Sequence, residues 1–212
     1  MFYKVFAVLA LFMTLATQSW SAEFFVLPGT KTLLMMGETK GADVEVIEKY
    51  IADKGIDSLI LKGPGGSLEA GYAIVDIIMG NEISITIPEN TDCASACSLI
   101  FAAGSNRSME AGSRLGFHLP FLALMSRDDA EKYCAQLRGL KNWVDVIGVV
   151  VDAHCLRLTY QKGLKDIKLL SKILVRDGIS EKLIDLVIDT PIGDMTWLAV
   201  SSAKFYGLVN TD

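Results

Sequence analysis

Ser95 stands among small residues near the start of the stretch from Cys93 to Gly104, which continues as an apolar run closed by glycine. This pattern predicts a short buried helix with Ser95 at or just before its first turn. Free backbone N–H groups and the positive end of the helix dipole meet at that position. Ser95 is therefore either a helix N-cap or a nucleophile whose developing oxyanion would be met by a backbone N–H.

A glycine-rich turn supplies a second group that such a nucleophile needs. The run Gly63-Pro64-Gly65-Gly66-Ser67 lies between a predicted strand and a predicted helix, and its spacing fits neither a P-loop nor a dinucleotide fingerprint. Paired glycines let a backbone approach a ligand closely, so this turn can aim an N–H group at an oxyanion. A tight turn in which Ser67 caps the following helix is the alternative interpretation.

His118 is the third candidate, because it ends a predicted strand that begins at Arg114. Strand ends are where α/β proteins build their sites, and an imidazole there can serve as a general base. The other histidine, His154, lies in a helical region, and we interpret it as structural or solvated.

The elements that must position these residues alternate along the chain. Apolar periodicity and turn residues predict strands within 24–36 and at 58–61, 83–87 and 114–118, and helices at 44–51, about 67–79 and from Ser95. Residues 88–92 are predicted to form a turn. The alternation predicts an α/β fold of repeated βα units with a mostly parallel sheet.

The second half of the sequence has a different pattern. Apolar residues at three- and four-residue spacings predict a helical insertion after His118, at about 121–188. The segment 197–209 is predicted to form a helix followed by a short strand. No linker composition interrupts the chain, so we expect a single domain over residues 22–212.

The N-terminal residues resemble a secretory signal. Lys4 is the one charge before an apolar stretch, Val5 to Ala16, and small polar residues follow. We predict a signal peptide over residues 1–21 with cleavage after Ser21, or after Ala22. The apolar stretch is short for a bilayer span of about 20 residues, so an uncleaved anchor is the lesser alternative. The protein is then exported: periplasmic in a Gram-negative bacterium, otherwise secreted.

Four cysteines become informative if the chain is exported, since an even count in an oxidising compartment favours disulfides. Cys93 and Cys97 are four apart, which on a helix places them on one face with Cα atoms about 6 Å apart. Cys134 and Cys155 then pair by elimination. A metal site is disfavoured, because the spacing is not Cys-x-x-Cys and no histidine cluster accompanies it.

Composition excludes some partners. The chain has 212 residues, a net charge of −5 and 51% hydrophobic residues, with a sequence pI of about 5.1. This charge gives no electrostatic basis for binding nucleic acid or an anionic membrane surface. The length suffices for one domain with a full core.

The segment from about Leu33 to Pro120 resembles the core of the Clp protease proteolytic subunit and its exported relatives, within the Clp/crotonase superfamily. A weaker similarity follows at 198–209. The Cys-Ala-Ser-Ala-Cys run and the terminal Gly-Phe-His look most like the exported branch. The matching features, in order, are Gly37 after a strand, Pro64-Gly65-Gly66, Gly71, Ala94-Ser95, Ala102-Ala103-Gly104 and His118-Leu119-Pro120.

The resemblance implies that Ser95 is the nucleophile and His118 its general base. The backbone N–H groups of Gly66 and Ala96 would form the oxyanion hole. Ala96-Cys97 departs from the family, in which Met-Gly usually follows the serine, and the region after Pro120 is longer than usual.

The resemblance also implies a carboxylate that orients the imidazole, shortly before the terminal helix and Gly-Leu-Val. Asp194 fits that place with one extra residue in between, and Asp189 is the alternative. Asp194 lies in a turn-rich stretch and can point back toward the sheet, whereas we expect Asp189 at an exposed helix end.

The leading functional hypothesis is an exported serine peptidase that forms an acyl-enzyme with a peptide or protein substrate. It needs no metal or organic cofactor, and the resemblance admits a homo-oligomer. The alternative is a catalytically silent Clp-like scaffold or binding protein. A crotonase-type acyl-CoA enzyme is disfavoured by export, and a Ser/Lys dyad by the lack of a suitable lysine near Ser95.

Overall fold

The computed structural model describes residues 21–118, 161, 163–165, 167–175, 178–191 and 194–211. Further helical residues lie between 161 and 174. The helices are α1 (Gly41–Lys54), α2 (Leu68–Gly80), α3 (Ala96–Ala103), α4 (Lys182–Ile188) and α5 (Val200–Phe205). The strands are β1 (Glu23–Val26), β2 (Thr32–Thr39), β3 (Ser58–Gly66), β4 (Ser84–Ile87), β5 (Asp92–Ala94), β6 (Arg107–Met109), β7 (Arg114–Phe117) and β8 (Thr196–Ala199).

The eight strands of the described chain form one branched, mostly parallel sheet. Its main path runs β1-β2-β3-β5-β7-β8, and the two outer pairs, β1/β2 and β7/β8, are antiparallel. The sheet branches at β3: residues Ser58, Leu59 and Ile60 pair with β4, whereas Gly63 pairs with Cys93 of β5. Strand β6 extends the branch that β4 begins. The predicted α/β fold with a mostly parallel sheet is confirmed.

The helices form where the sequence supplies their boundaries. Gly55 adopts φ +60° after α1 and donates its N–H to the Ile51 carbonyl, which is the left-handed helix end that glycine favours. Ser67 caps α2, because its hydroxyl accepts the Ala70 N–H at 3.2 Å. The predicted boundaries of these two helices are therefore close to the observed ones.

Helix α3 lies in the centre of the core, since all eight of its residues are buried. It packs closely on α2, where a Cβ on Gly71 would lie 3.1 Å from the Cβ of Ala96. Phe101 and Ile100 are fully buried within the same cluster. The helix that follows Ser95 thus packs against both α2 and β3.

The C-terminal order was predicted wrongly. The sequence pattern predicts a helix and then a short strand in 197–209, whereas β8 comes first and α5 follows. Trp197 and Leu198 pair antiparallel with Gly116 and Leu115, so β8 closes the edge of the sheet beside β7. The short strands β5 and β6 were also not predicted, because three residues carry too little periodicity and are defined by their pairing.

Two predicted segments are described in part or not at all. The described residues between 161 and 174 are helical and Lys182–Ile188 forms α4, while 121–160 and residues 1–20 of the predicted signal peptide lie outside the described residues. In the described ranges, no helix has the length and apolar character needed to cross a membrane.

Candidate active site

Ser95 occupies a strained turn between β5 and α3. Its backbone adopts φ +56° and ψ −122°, a conformation that residues with a side chain rarely take. The N–H of Ser95 donates to the Gly116 carbonyl at 2.8 Å, which ties this turn to β7. Strain of this kind persists only where the surroundings enforce it, and it is frequent at functional sites.

The Ser95 hydroxyl contacts an imidazole instead of capping the helix. Its Oγ makes no cap hydrogen bond and lies 2.7 Å from Nε2 of His118. The two residues meet because β5 and β7 are parallel neighbours, with Ala94 opposite Gly116, so both follow the same edge of the sheet. When Nδ1 carries the ring proton, Nε2 can accept the proton of the serine hydroxyl.

The glycine-rich turn continues strand β3 and reaches the serine through Gly65. A Cβ on Gly65, whose φ is +95°, would lie 2.7 Å from the Cβ of Ser95 and 2.9 Å from the backbone nitrogen of Ala96. Gly66, at φ +139°, faces β2 instead, where a Cβ would overlap the Thr39 carbonyl. The glycine in contact with the nucleophile turn is thus Gly65, which was not predicted, whereas Gly66 was predicted to supply an N–H to the oxyanion.

Ala96 is the first residue of α3, so its N–H has no intrahelical acceptor and lies at the positive end of the helix dipole. This N–H is directly next to the Ser95 turn and is close to Gly65. The arrangement suits a group that stabilises negative charge near Ser95 Oγ.

A disulfide joins Cys93 to Cys97 with a Cα–Cα distance of 5.3 Å, as predicted. The geometric premise of that prediction was wrong, because Cys93 lies in β5 and Cys97 in α3, not on one helix face. The bridge therefore spans the strand-to-helix turn with Ser95 inside it. Both half-cystines are buried. The predicted partners Cys134 and Cys155 lie outside the described residues.

Ser98 is a site residue to which the sequence interpretation above assigns no role. It is fully buried, and its hydroxyl lies 2.6 Å from the Cys93 carbonyl oxygen and 2.9 Å from that of Gly116. It thus connects α3 to both strands that precede the candidate catalytic residues. The available sequence signal was a polar residue within an otherwise apolar helix.

The predicted contact between Asp194 and His118 is not formed. Asp194 is exposed, its N–H donates to the Pro191 carbonyl at 3.0 Å, and its carboxylate makes no hydrogen bond to His118. The β7/β8 pairing ends at Phe117 opposite Thr196, so Asp194 lies two residues beyond the last pair. Asp189 is exposed at the end of α4 and makes no hydrogen bond to His118 either.

An open cleft of about 780 Å³ lies beside the nucleophile turn and is bordered by Pro64 and Ala94. At its rim, the Arg114 guanidinium donates to both carboxylate oxygens of Asp92, at 2.9 and 2.6 Å, and lies 4.7 Å from the ring centroid of Trp197. The hydrogen bond from Arg114 lowers the pKa of Asp92.

The family model described as Clp protease matches residues 39–155, which is more than half of the chain. The chain belongs to the Clp protease family. Members of this family are serine-type peptidases that act on peptides and form oligomers, although inactive members exist. A search of curated proteins gave no match.

This Clp family chain is also similar in structure to a mutant form of ClpP1 from Listeria monocytogenes. The identity is 20%, the TM-score is 0.53, and the match covers 84% of this chain and 88% of the other. At this identity, the likeness supports the ClpP-like fold described above and no finer assignment.

Proposed function

We propose that this protein is an exported serine endopeptidase in which Ser95 is the nucleophile and His118 the general base. The observation that carries the proposal is the 2.7 Å separation between Ser95 Oγ and His118 Nε2. A serine that only capped its helix would direct its oxygen to a backbone N–H of the first turn, and Ser95 does not.

The proposed reaction follows from this geometry. Ser95 Oγ attacks the carbonyl carbon of a peptide bond while His118 Nε2 takes the hydroxyl proton, and the same proton then passes to the leaving amine. A water molecule then attacks the acyl-enzyme by the same steps and releases the second product. The N–H groups of Ala96 and Gly66 are the proposed donors to the oxyanion, with Gly65 placing the β3 backbone against the serine turn.

Asp194 remains the proposed third member of the triad. Its position just before β8 brings it toward the end of β7, from which His118 follows. Catalytic hydrogen bonds often form fully only in the substrate complex, so an exposed carboxylate in the free protein is compatible with this role. The role requires the turn that follows Pro191 to close onto His118.

Export is proposed from the signal-like residues 1–21, with the periplasm as destination in a Gram-negative bacterium and secretion otherwise. The buried Cys93–Cys97 bridge supports this part of the proposal, because disulfides persist mainly in oxidising compartments.

The decisive experiment is labelling with a fluorophosphonate, which reacts with activated serines. Wild type should be labelled and Ser95→Ala should not, while both keep the same circular dichroism spectrum. Ser67→Ala is the matched control, since it removes another hydroxyl beside the glycine-rich turn and should leave labelling intact. Equal labelling of wild type and Ser95→Ala would reject Ser95 and make Ser98 the next serine to test.

A catalytically silent Clp-like scaffold is the second candidate. The exposed positions of Asp194 and Asp189, neither of which bonds His118, are the observations that favour it. A scaffold should bind peptides without cleaving them and should not react with the fluorophosphonate. Cleavage of unfolded protein substrates by wild type and not by Ser95→Ala would exclude it.

A further inference from the structure

Asp43 is the one buried carboxylate in the described part of the chain, with 1% of its surface exposed. It lies in the first turn of α1 and accepts the Lys40 N–H at 2.7 Å. Its other backbone donor is the N–H of Ala22, whose residue is also buried. Burial raises the pKa of Asp43, and these N–H groups and the nearby Lys40 charge offset that effect in part.

Ala22 is also the residue that the proposed cleavage after Ser21 would leave at the start of the mature chain. Ser21 is exposed and Ala22 is buried, so the chain passes from solvent into the packed protein at the Ser21–Ala22 bond. Cleavage there converts the Ala22 N–H into an α-ammonium, which is charged at neutral pH and offers more donors. A hydrogen bond from such a cation to a carboxylate is shorter and roughly twice as strong as one from a neutral amide.

The Ala22 position is connected to the nucleophile turn by direct backbone contacts. A Cβ on Gly37, the irregular point of β2, would lie 3.5 Å from the Ala22 Cα. The Gly37 carbonyl in turn abuts Gly63 of β3, and Gly65 of the same strand touches Ser95. Order at Ala22 therefore supports the strand that positions the glycine-rich turn.

We infer that Asp43 is a binding site for the chain's own α-ammonium, created when processing after Ser21 makes Ala22 the first residue. This inference rests on the signal cleavage in the proposed function, and it does not depend on Ser95 being catalytic. It also selects between the two predicted cleavage points, because cleavage after Ala22 would remove the group that binds Asp43.

The test compares three forms of the chain in a Ser95→Ala background, so that hydrolysis plays no part. One begins at Ala22 after scarless removal of a fusion partner, one begins at Ala22 with an acetylated amine, and one begins at Ser21. The form with a free Ala22 amine should have the highest thermal midpoint, by at least about 5 °C. Mass spectrometry of exported protein should find Ala22 as its first residue.

Asp43→Asn should abolish the differences between the three forms. Glu45→Gln is the matched control, since it removes an exposed carboxylate from the same helix and should preserve them. Equal thermal midpoints for the free and acetylated Ala22 forms would overturn the inference, even if Asp43→Asn does not fold. A mature chain that begins at Glu23 would also overturn it.

Discussion

The hydroxyl of Ser98 lies 2.9 Å from the carbonyl oxygen of Gly116, and the same oxygen accepts the N–H of Ser95. Gly116 is two residues before His118, so this carbonyl connects the chain segments on which both candidate catalytic residues lie. We therefore expect the spacing between nucleophile and base to depend on a buried hydroxyl that itself contacts no reacting atom.

Ser98→Ala should lower the free energy of unfolding by about 1–2 kcal/mol, because buried carbonyls lose a donor. It should also slow fluorophosphonate labelling of Ser95 several-fold, since the turn is no longer tied to β7 through this group. Quenched labelling time courses measure the rate. Ser201→Ala, on the exposed face of α5, is the control, and a wild-type labelling rate in Ser98→Ala would contradict the positioning role.

Gly65→Ala should abolish labelling, because the new Cβ would lie 2.6 Å from the Ala94 carbonyl oxygen and 2.7 Å from the Cβ of Ser95. Gly29→Ala is matched to it, since Gly29 also has positive φ, +73°, with nothing within 4 Å of a Cβ. Backbone strain should cost each variant about 1–2 kcal/mol of stability, and the overlap with neighbouring atoms should add to the loss in Gly65→Ala. Only Gly65→Ala should lose labelling. Comparable labelling of the two variants would show that Gly65 does not position the serine.

The Cys93–Cys97 bridge should appear in non-reducing peptide maps of protein from an oxidising compartment. Replacing both cysteines by alanine should cost about 2 kcal/mol, because the closed loop is very short. We expect a larger proportional loss in labelling rate than in stability, since the bridge encloses the strained Ser95 turn. Free thiols at both positions in such material would contradict the prediction.

Asp194→Asn should reduce peptide turnover by orders of magnitude with little change in KM, if Asp194 orients His118 in the substrate complex. Asp189→Asn changes a neighbouring exposed acid in the same way and should have little effect. Similar turnover in the two variants would remove Asp194 from the triad.

The Asp92–Arg114 pair predicts a pH dependence of stability with a definite sign. Arg114 holds the pKa of Asp92 below its ordinary value of 3.8, so the pair's contribution is present above that pH and is lost as pH falls through the lowered pKa. The pair is exposed, so the effect is small and should shrink in about 1 M salt. Thermal midpoints of wild type and Asp92→Asn should converge at low pH; a difference that grows on acidification would contradict this.

The βα core was accessible from sequence because each of its helices carries local boundary signals. Gly55 ends α1 and Ser67 caps α2, and both effects depend on a few neighbouring residues. The short strand β5 had no such signal, since its three residues are defined by pairing with β3 and β7. Its absence from the prediction is the reason that Cys93 was placed on a helix.

In the candidate site, too, features with local sequence signals were predicted and features defined by strand pairing were not. Ser95 and His118 were found because each follows a secondary-structure boundary that local sequence predicts. Contacts that depend on how the strands pair were not predicted. Gly65, and not Gly66, contacts the serine, and Asp194 lies beyond the last β7/β8 pair. One residue of displacement along a strand reverses the face on which a side chain lies, and sequence spacing does not resolve this.

The late position of β8 in the chain has a consequence for the order of synthesis. Ser95 and His118 are both made before the strand that covers the edge of β7, and Arg107 donates to the carbonyl of Leu208, 101 positions away. Contacts of such long range form slowly and only after the distant segment has been synthesised. A growing chain that has just completed His118 therefore holds both reactive groups before β8 lies beside β7, and we expect hydrolytic competence only once β8 has joined the sheet.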